Sequence, residues 1–112
     1  MMWKDKVAVV TGGAHGIGRC ICQEFEKEGA RVCVIDLLEN PFFQGDLADK
    51  ETLERFAAKV IGECGHVDYL INNAAPISRG LDSAGYEEFS YALQVGVTAP
   101  FYLTKLFAPH FA

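Results

Sequence analysis

The strongest constraint on this chain is a short segment crowded with glycine, Thr11-Gly-Gly-Ala-His-Gly-Ile-Gly18. Residues 6–11 before it are a β-branched run, the pattern of a strand buried on both faces. In residues 17–28 after it, Ile17, Cys20, Ile21 and Phe25 recur at three- and four-residue spacing with charges between them, which predicts an amphipathic helix closed by Gly29. A strand feeding a helix through such a turn has separable uses for its glycines. Gly12 lets the chain turn sharply off the strand, Gly16 removes a side chain where backbone N–H groups must approach an anion, and Gly18 lets the helix pack closely on the sheet. The unpaired amides and positive dipole end of the helix then hold the anion.

The rest of the chain alternates in the same way. Residues 31–36 form a second buried strand ending in an acid, Asp36. Asn40-Pro41 marks a turn, and residues 42–47 are expected to be a third strand. Asp49 can cap a helix whose apolar stripe is Leu53, Phe56, Ala57, Val60 and Ile61. Residues 67–72 read as a fourth strand, and a loop with Pro76 and Gly80 leads to a long helix over 86–111 that Pro100 should kink. The fold class is therefore α/β, a Rossmann-type doubly wound parallel sheet in one domain over residues 1–112, ending after the fourth strand and the helix that follows it. One joint is tight. The five residues 37–41 reach roughly 17 Å, so the crossing is made by an extended loop or the third strand is very short.

With a glycine turn on one strand and an acid at the end of the next, a dinucleotide is the expected ligand. The Asp36 carboxylate can accept two hydrogen bonds from ribose hydroxyls and would repel a 2′-phosphate. A formal net charge of −5 argues against nucleic acid, which needs a basic surface. Residues 1–6 lead straight into a strand-like run with no signal-peptide pattern, and no apolar stretch is long enough for a bilayer. Cys20, Cys22, Cys33 and Cys64 form no C-x-x-C pair and are expected to be free thiols in a reducing cytoplasm. No metal-ligand set is expected.

These residues resemble the short-chain dehydrogenase/reductase family over essentially the whole chain. Thr11 to Gly18 is similar to the T-G-x-x-x-G-x-G turn, Asp46-Leu47 to the D-[VL] pair beside adenine, and Asn72-Asn-Ala-Ala75 to N-N-A-G. Val95-Gly-Val-Thr-Ala-Pro-Phe101 is similar to V-N-[LV]-x-G-P-F. The resemblance implies a pyrophosphate against Gly12, His15, Gly16 and Ile17 on a turn closed by Gly18, adenosine ribose at Asp36, and adenine near Asp46 and Leu47. Asn73 and Ala74 would line the path to the nicotinamide ribose. NADP-preferring relatives often carry Lys or Arg at the His15 position or just after Asp36. With His15 and Leu37 there, NAD is expected over NADP.

The same resemblance implies catalysis by a serine on a fifth strand and a tyrosine four residues before a lysine. None of Tyr69, Tyr86, Tyr91 and Tyr102 has a lysine at that spacing, and Ser78, Ser83 and Ser90 precede any fifth strand. The chain is thus expected to be the dinucleotide-binding half of an NAD(P)-dependent oxidoreductase of an alcohol or carbonyl, without catalytic residues of its own and inactive in isolation. The alternative is a non-catalytic NAD-binding module or a subunit needing a partner chain. Gly96 stands where relatives carry a helix-distorting asparagine, and Ala75 where they carry glycine. The greasy last helix is expected to mediate homo-oligomerisation, and residues 67–72 to present an exposed apolar edge.

Overall fold

The computed structural model describes residues 1–76, 80 and 82–112. In chain order the elements are β1 (Val7–Thr11), α1 (Gly16–Lys27), β2 (Arg31–Asp36), β3 (Phe43–Gln44), α2 (Lys50–Cys64), β4 (Tyr69–Ile71), α3 (Tyr86–Leu93) and α4 (Ala99–Phe107). A π turn (Gln94–Thr98) joins α3 to α4, and a 3-10 turn (Ala108–His110) follows α4. The four strands form one parallel sheet in the order β3-β2-β1-β4.

Strand side chains alternate between faces, and here both faces are covered. Val7, Val9, Cys33 and Ile35 point into the larger core with Phe56 and Val60 of α2 and Leu103 and Phe107 of α4. Ala8, Val10 and Val34 point the other way, onto Phe25 and Cys22 of α1. This is the doubly wound arrangement that the sequence pattern implies.

The face of α1 differs from the expected stripe. Gly18, Cys22 and Phe25 are buried, whereas Ile17 is 76% exposed and Cys20 is exposed. Sequence periodicity could not separate the two sides because the first turn of α1 stands at the mouth of the turn, where Ile17 has no sheet beneath it. Gly18 takes the inward position. A Cβ there would overlap the Gly12 carbonyl oxygen and the Asn73 side-chain nitrogen. Gly13, not singled out by the motif, is as confined: a Cβ would lie 2.8 Å from both Cys22 Sγ and a Val34 methyl.

The third strand is shorter than residues 42–47, which resolves the tight crossing. Only Ile35 and Asp36 pair with β3, at Phe43 and Gln44. The connection therefore needs to cover little more than the spacing between strands, not a strand's length. Asn40 shapes it. Its side-chain oxygen accepts from Phe42 N and Phe43 N, and its amide donates to the carbonyls of Leu38 and Phe43. α2 opens as expected, with Asp49 accepting from Glu51 N and from the Thr52 hydroxyl, and closes on Gly65 at φ +80°.

Two further expectations are corrected. β4 covers Tyr69–Ile71 rather than 67–72; Val67 instead bridges in parallel to Phe111, so the final residues begin to cover the outer side of that segment. The last helix is not one kinked rod over 86–111. It is interrupted at the π turn, where Ala99 N donates to Gln94 O, five residues back. Pro100 explains the break: it offers no N–H, and its ring must clear the carbonyl of Gly96, which the wider turn permits. The distortion thus forms here without an asparagine at position 96.

Two glycines make opposite predictions. Gly18→Ala forces backbone apart and should cost about 3 kcal/mol, the upper end for overpacking a rigid site, read as a lowered urea midpoint. A Cβ at Gly96 meets nothing nearer than the Pro76 ring at 3.7 Å. Gly96→Ala should therefore raise stability, by up to about 1 kcal/mol from helix propensity, in the same titration.

Candidate functional site

The carboxyl ends of parallel strands leave a crevice where neighbouring connections diverge, and ligands bind there in open α/β sheets. In this chain a cleft of about 590 Å³ lies at those ends of β1, β2 and β4. Its walls include Gly12, His15, Gly16, Ile17, Asp36, Asp46, Leu47, Asn73 and Ala74. Nine of the ten residues singled out from the sequence are thus brought together. Gly18 is the exception, because it lies behind the turn and not on the cleft.

The turn itself is built from backbone strain that glycine relieves. Gly12 has φ +67° and Gly16 φ +54°. A side chain at Gly16 would meet nothing within 4 Å, so the position opens onto free space at the start of α1. His15 is the residue before the first helical turn, yet its side chain makes no cap hydrogen bond, and no acidic residue stands in that turn. The opening N–H groups of α1 and the dipole behind them are therefore available to an anion.

Asn73 and Thr11 lock the end of β1 to the end of β4. The Thr11 hydroxyl oxygen accepts from Asn73 N (3.1 Å) and Ala74 N (3.0 Å), and the Asn73 amide donates to the carbonyls of Thr11 and Gly12 (both 3.2 Å). In this structure the side chain of Asn73 braces the turn, and a bound molecule meets it only after that task is met.

Asp36 sits across from the turn and is 5% exposed. Its Oδ2 accepts from Ala14 N (3.0 Å) and lies 3.0 Å from His15 Nδ1; its Oδ1 accepts from Leu38 N (2.9 Å). The carboxylate therefore reads the glycine turn directly. The imidazole of His15, 63% exposed, lies on Asp36 rather than extending freely at the mouth.

Several lining residues were not singled out as such in the sequence. Leu38 joins Leu37, already placed beside Asp36, to form an exposed apolar lip, 51% and 58% accessible. Tyr91 and Val95, from α3 and the π turn, close the far wall. Their four-residue spacing on a helix was the available signal, but nothing local says that this face meets residue 46. The Tyr91 hydroxyl donates to Asp46 Oδ1 at 2.9 Å, and partial burial together with that bond raises its pKa above the usual tyrosine value. Tyr102 likewise donates to Glu54, at 2.6 Å, and that bond raises its pKa. Both tyrosines thus hold their protons more tightly than a free tyrosine does. Ser78 lies outside the described residues, as do Ile77, Arg79 and Leu81.

Among the described residues no three His, Cys, Asp or Glu side chains gather as a metal site, and no helix is long and apolar enough to cross a membrane.

Comparison with known proteins agrees with this fold. The family profile described as short chain dehydrogenase matches residues 6–112. An oxidoreductase of Thermotoga maritima is 31% identical over 93% of this chain and 47% of its own length. A probable galactose dehydrogenase of Rhizobium meliloti is 29% identical, and the L-fucose dehydrogenase of Mus musculus 30% identical, each over 96% of this chain. Those matches cover 49% and 45% of the two relatives, so the chain spans about half the length of the curated relatives it matches. Among solved structures, an apo SCOR enzyme from Clostridium thermocellum superposes with a TM-score of 0.84 at 41% identity, over 93% of this chain and 48% of that one. A short-chain dehydrogenase/reductase of Serratia marcescens gives 0.90 at 26% identity, over 99% and 54%. A glycine turn, an acid opposite it and a sheet wound on both faces accompany a match over nearly every residue, and this chain belongs to the short-chain dehydrogenase family.

Proposed function

We propose that this chain supplies the dinucleotide site of an NAD-dependent short-chain oxidoreductase acting on an alcohol or carbonyl, with the proton-transfer groups contributed by residues outside these 112. The observation that carries the reading is Asp36, whose buried carboxylate is tied at 3.0 Å to Ala14 N inside the glycine turn. One ligand must then satisfy both an anion cradle and a fixed carboxylate a turn's width away, which suits a pyrophosphate joined to a ribose.

The cleft fits such a molecule in size, since sites of this kind run to about 300–1,000 Å³. In this reading the pyrophosphate rests on Gly12, His15, Gly16 and Ile17, the adenine lies against Asp46 and Leu47, and the nicotinamide side passes Asn73 and Ala74. Bound there, the cofactor would accept or donate hydride. A carboxylate offers about four acceptor positions, and Asp36 uses three of them. The ribose diol thus binds with both hydroxyls once the exposed His15 ring swings away. A 2′-phosphate would meet the Asp36 charge with His15 and Leu37, rather than a Lys or Arg, at the two neighbouring positions, which favours NAD over NADP.

Self-association through the last helices belongs to the same proposal. Phe89, Leu93, Val97 and Phe101 recur every four residues and are 53%, 49%, 62% and 65% exposed, an apolar stripe of the kind that seeks a partner. The unpaired thiols suit a cytoplasmic setting.

Isothermal calorimetry tests the cofactor reading. NAD should give a saturable heat and bind at least about tenfold tighter than NADP, the scale of one charge-assisted hydrogen bond. Asp36→Ser should remove that preference, with circular dichroism confirming that the variant remains folded. Equal affinity for both cofactors in the wild-type chain would sink the assignment. Hydride transfer by the 112 residues alone would overturn the placement of the proton-transfer groups. For the stripe, Val97→Glu with Phe101→Glu should shift sedimentation toward monomer, and an already monomeric parent contradicts it.

A further inference from the structure

The four cysteines separate into two kinds of surroundings. Cys20 is exposed on α1 and Cys22 is buried beneath that helix. Cys33, in the middle of β2, and Cys64, the last residue of α2, meet across the other core with their sulfurs 3.7 Å apart. That contact is at the opposite end of the sheet from the dinucleotide cleft, since Cys64 shares a recess of about 390 Å³ with Lys6 and Arg31 at the starts of β1 and β2.

The two sulfurs are unequal. Cys33 is fully buried, and burial first, then its sulfur neighbour, pushes its thiol up to about 12. Cys64 is half-buried and reaches the recess, whose walls carry Lys6, Arg31 and His66 against Asp5. Glu63 pairs with Arg31 at 2.6 Å, while Asp68 holds His66 at 2.9 Å and Lys6 at 3.9 Å. Arg31 and Cys64 line the same recess, so a peroxide that enters it meets this sulfur beside a guanidinium held by Glu63.

We propose that Cys64 and Cys33 form a reversible oxidation site, in which a peroxide entering the recess oxidises Cys64 and Cys33 then closes a disulfide between α2 and β2. In the first step the Cys64 sulfur attacks one peroxide oxygen, the O–O bond breaks, water leaves and Cys64 becomes a sulfenic acid. In the second, the Cys33 sulfur attacks that sulfenic sulfur and its proton goes to the departing hydroxyl, releasing a second water. The balance is two thiols and one hydrogen peroxide to one disulfide and two waters, with two electrons passing from sulfur to oxygen. The sulfurs must close from 3.7 Å to about 2.05 Å. Cys64 can supply that movement because it ends its helix, next to Gly65 at φ +80°. The closed loop contains Asp36, Leu37, Leu38, Asp46 and Leu47, so the staple restrains one whole wall of the cleft from the far side of the sheet.

The experiment treats the full chain, in a Cys20→Ser background, with hydrogen peroxide under native conditions. Intact mass should fall by two hydrogens per chain, peptide mapping should join Cys33 to Cys64, dithiothreitol should reverse the change, and the oxidised form should melt at a higher temperature. Cys64→Ser should abolish the link, whereas Cys33→Ala should leave a sulfenic acid at Cys64 that dimedone traps. The wild-type linkage map does not depend on either variant folding. The proposal is overturned if peroxide oxidises Cys20 in the unaltered chain while Cys64 stays a free thiol. Disulfides that join separate chains or enlist Cys22 would overturn it equally.

Discussion

The rest of the structure depends on how closely the first turn of α1 approaches the end of β1. At Gly18 there is no room for even one carbon beside the Gly12 carbonyl, and Asn73 fills the remaining space with its amide. That approach aims the free amides of α1 into the cleft. It also brings Ala14 N to within hydrogen-bond distance of the Asp36 carboxylate, which joins β1, β2 and β4 at a single point. Buried polar groups held this way are costly to leave unpaired, so each fixes the others.

Around this point the sheet divides the labour between its faces and its ends. One face of β1 and β2 packs on α2 and α4 through Val9, Ile35, Phe56 and Phe107, and the other on α1 through Val10, Val34 and Cys22. The carboxyl end of the strands holds the cleft lined by Gly12, Gly16 and Asp36, and the amino end holds the recess beside Cys64. α2 reaches both ends: Asp46 and Leu47 lie just before it, and Cys64 closes it.

Much of this was legible from residue order. The switch from β-branched runs to three-and-four spacing placed β1, α1 and β2 within a residue, and the start of α2 after Asp49, because each element buries a face of its own. The site was legible for a related reason. Glycines 12, 16 and 18 answer local demands of backbone and packing, and Asp36 stands at a strand end beside them. What failed was whatever needed a distant partner. The apolar residues of the last helix looked alike, yet Leu103 and Phe107 are fully buried while Phe101 is 65% exposed. The length of β3, which the tight crossing left open, was likewise set elsewhere, by where Ile35 and Asp36 of β2 offer a partner.

The amino-acid sequence by itself determined the order of strands and helices, the family, and a glycine turn facing an acid, because hydrophobic period and steric demand act over a few neighbouring residues. Only the tertiary structure decided that His15 lies on Asp36, that Tyr91 closes the wall by bonding Asp46, and that Cys33 meets Cys64. These pairs lie 21, 45 and 31 residues apart in the chain. Contacts across such distances come from how whole elements stack, and no local pattern of residues encodes them.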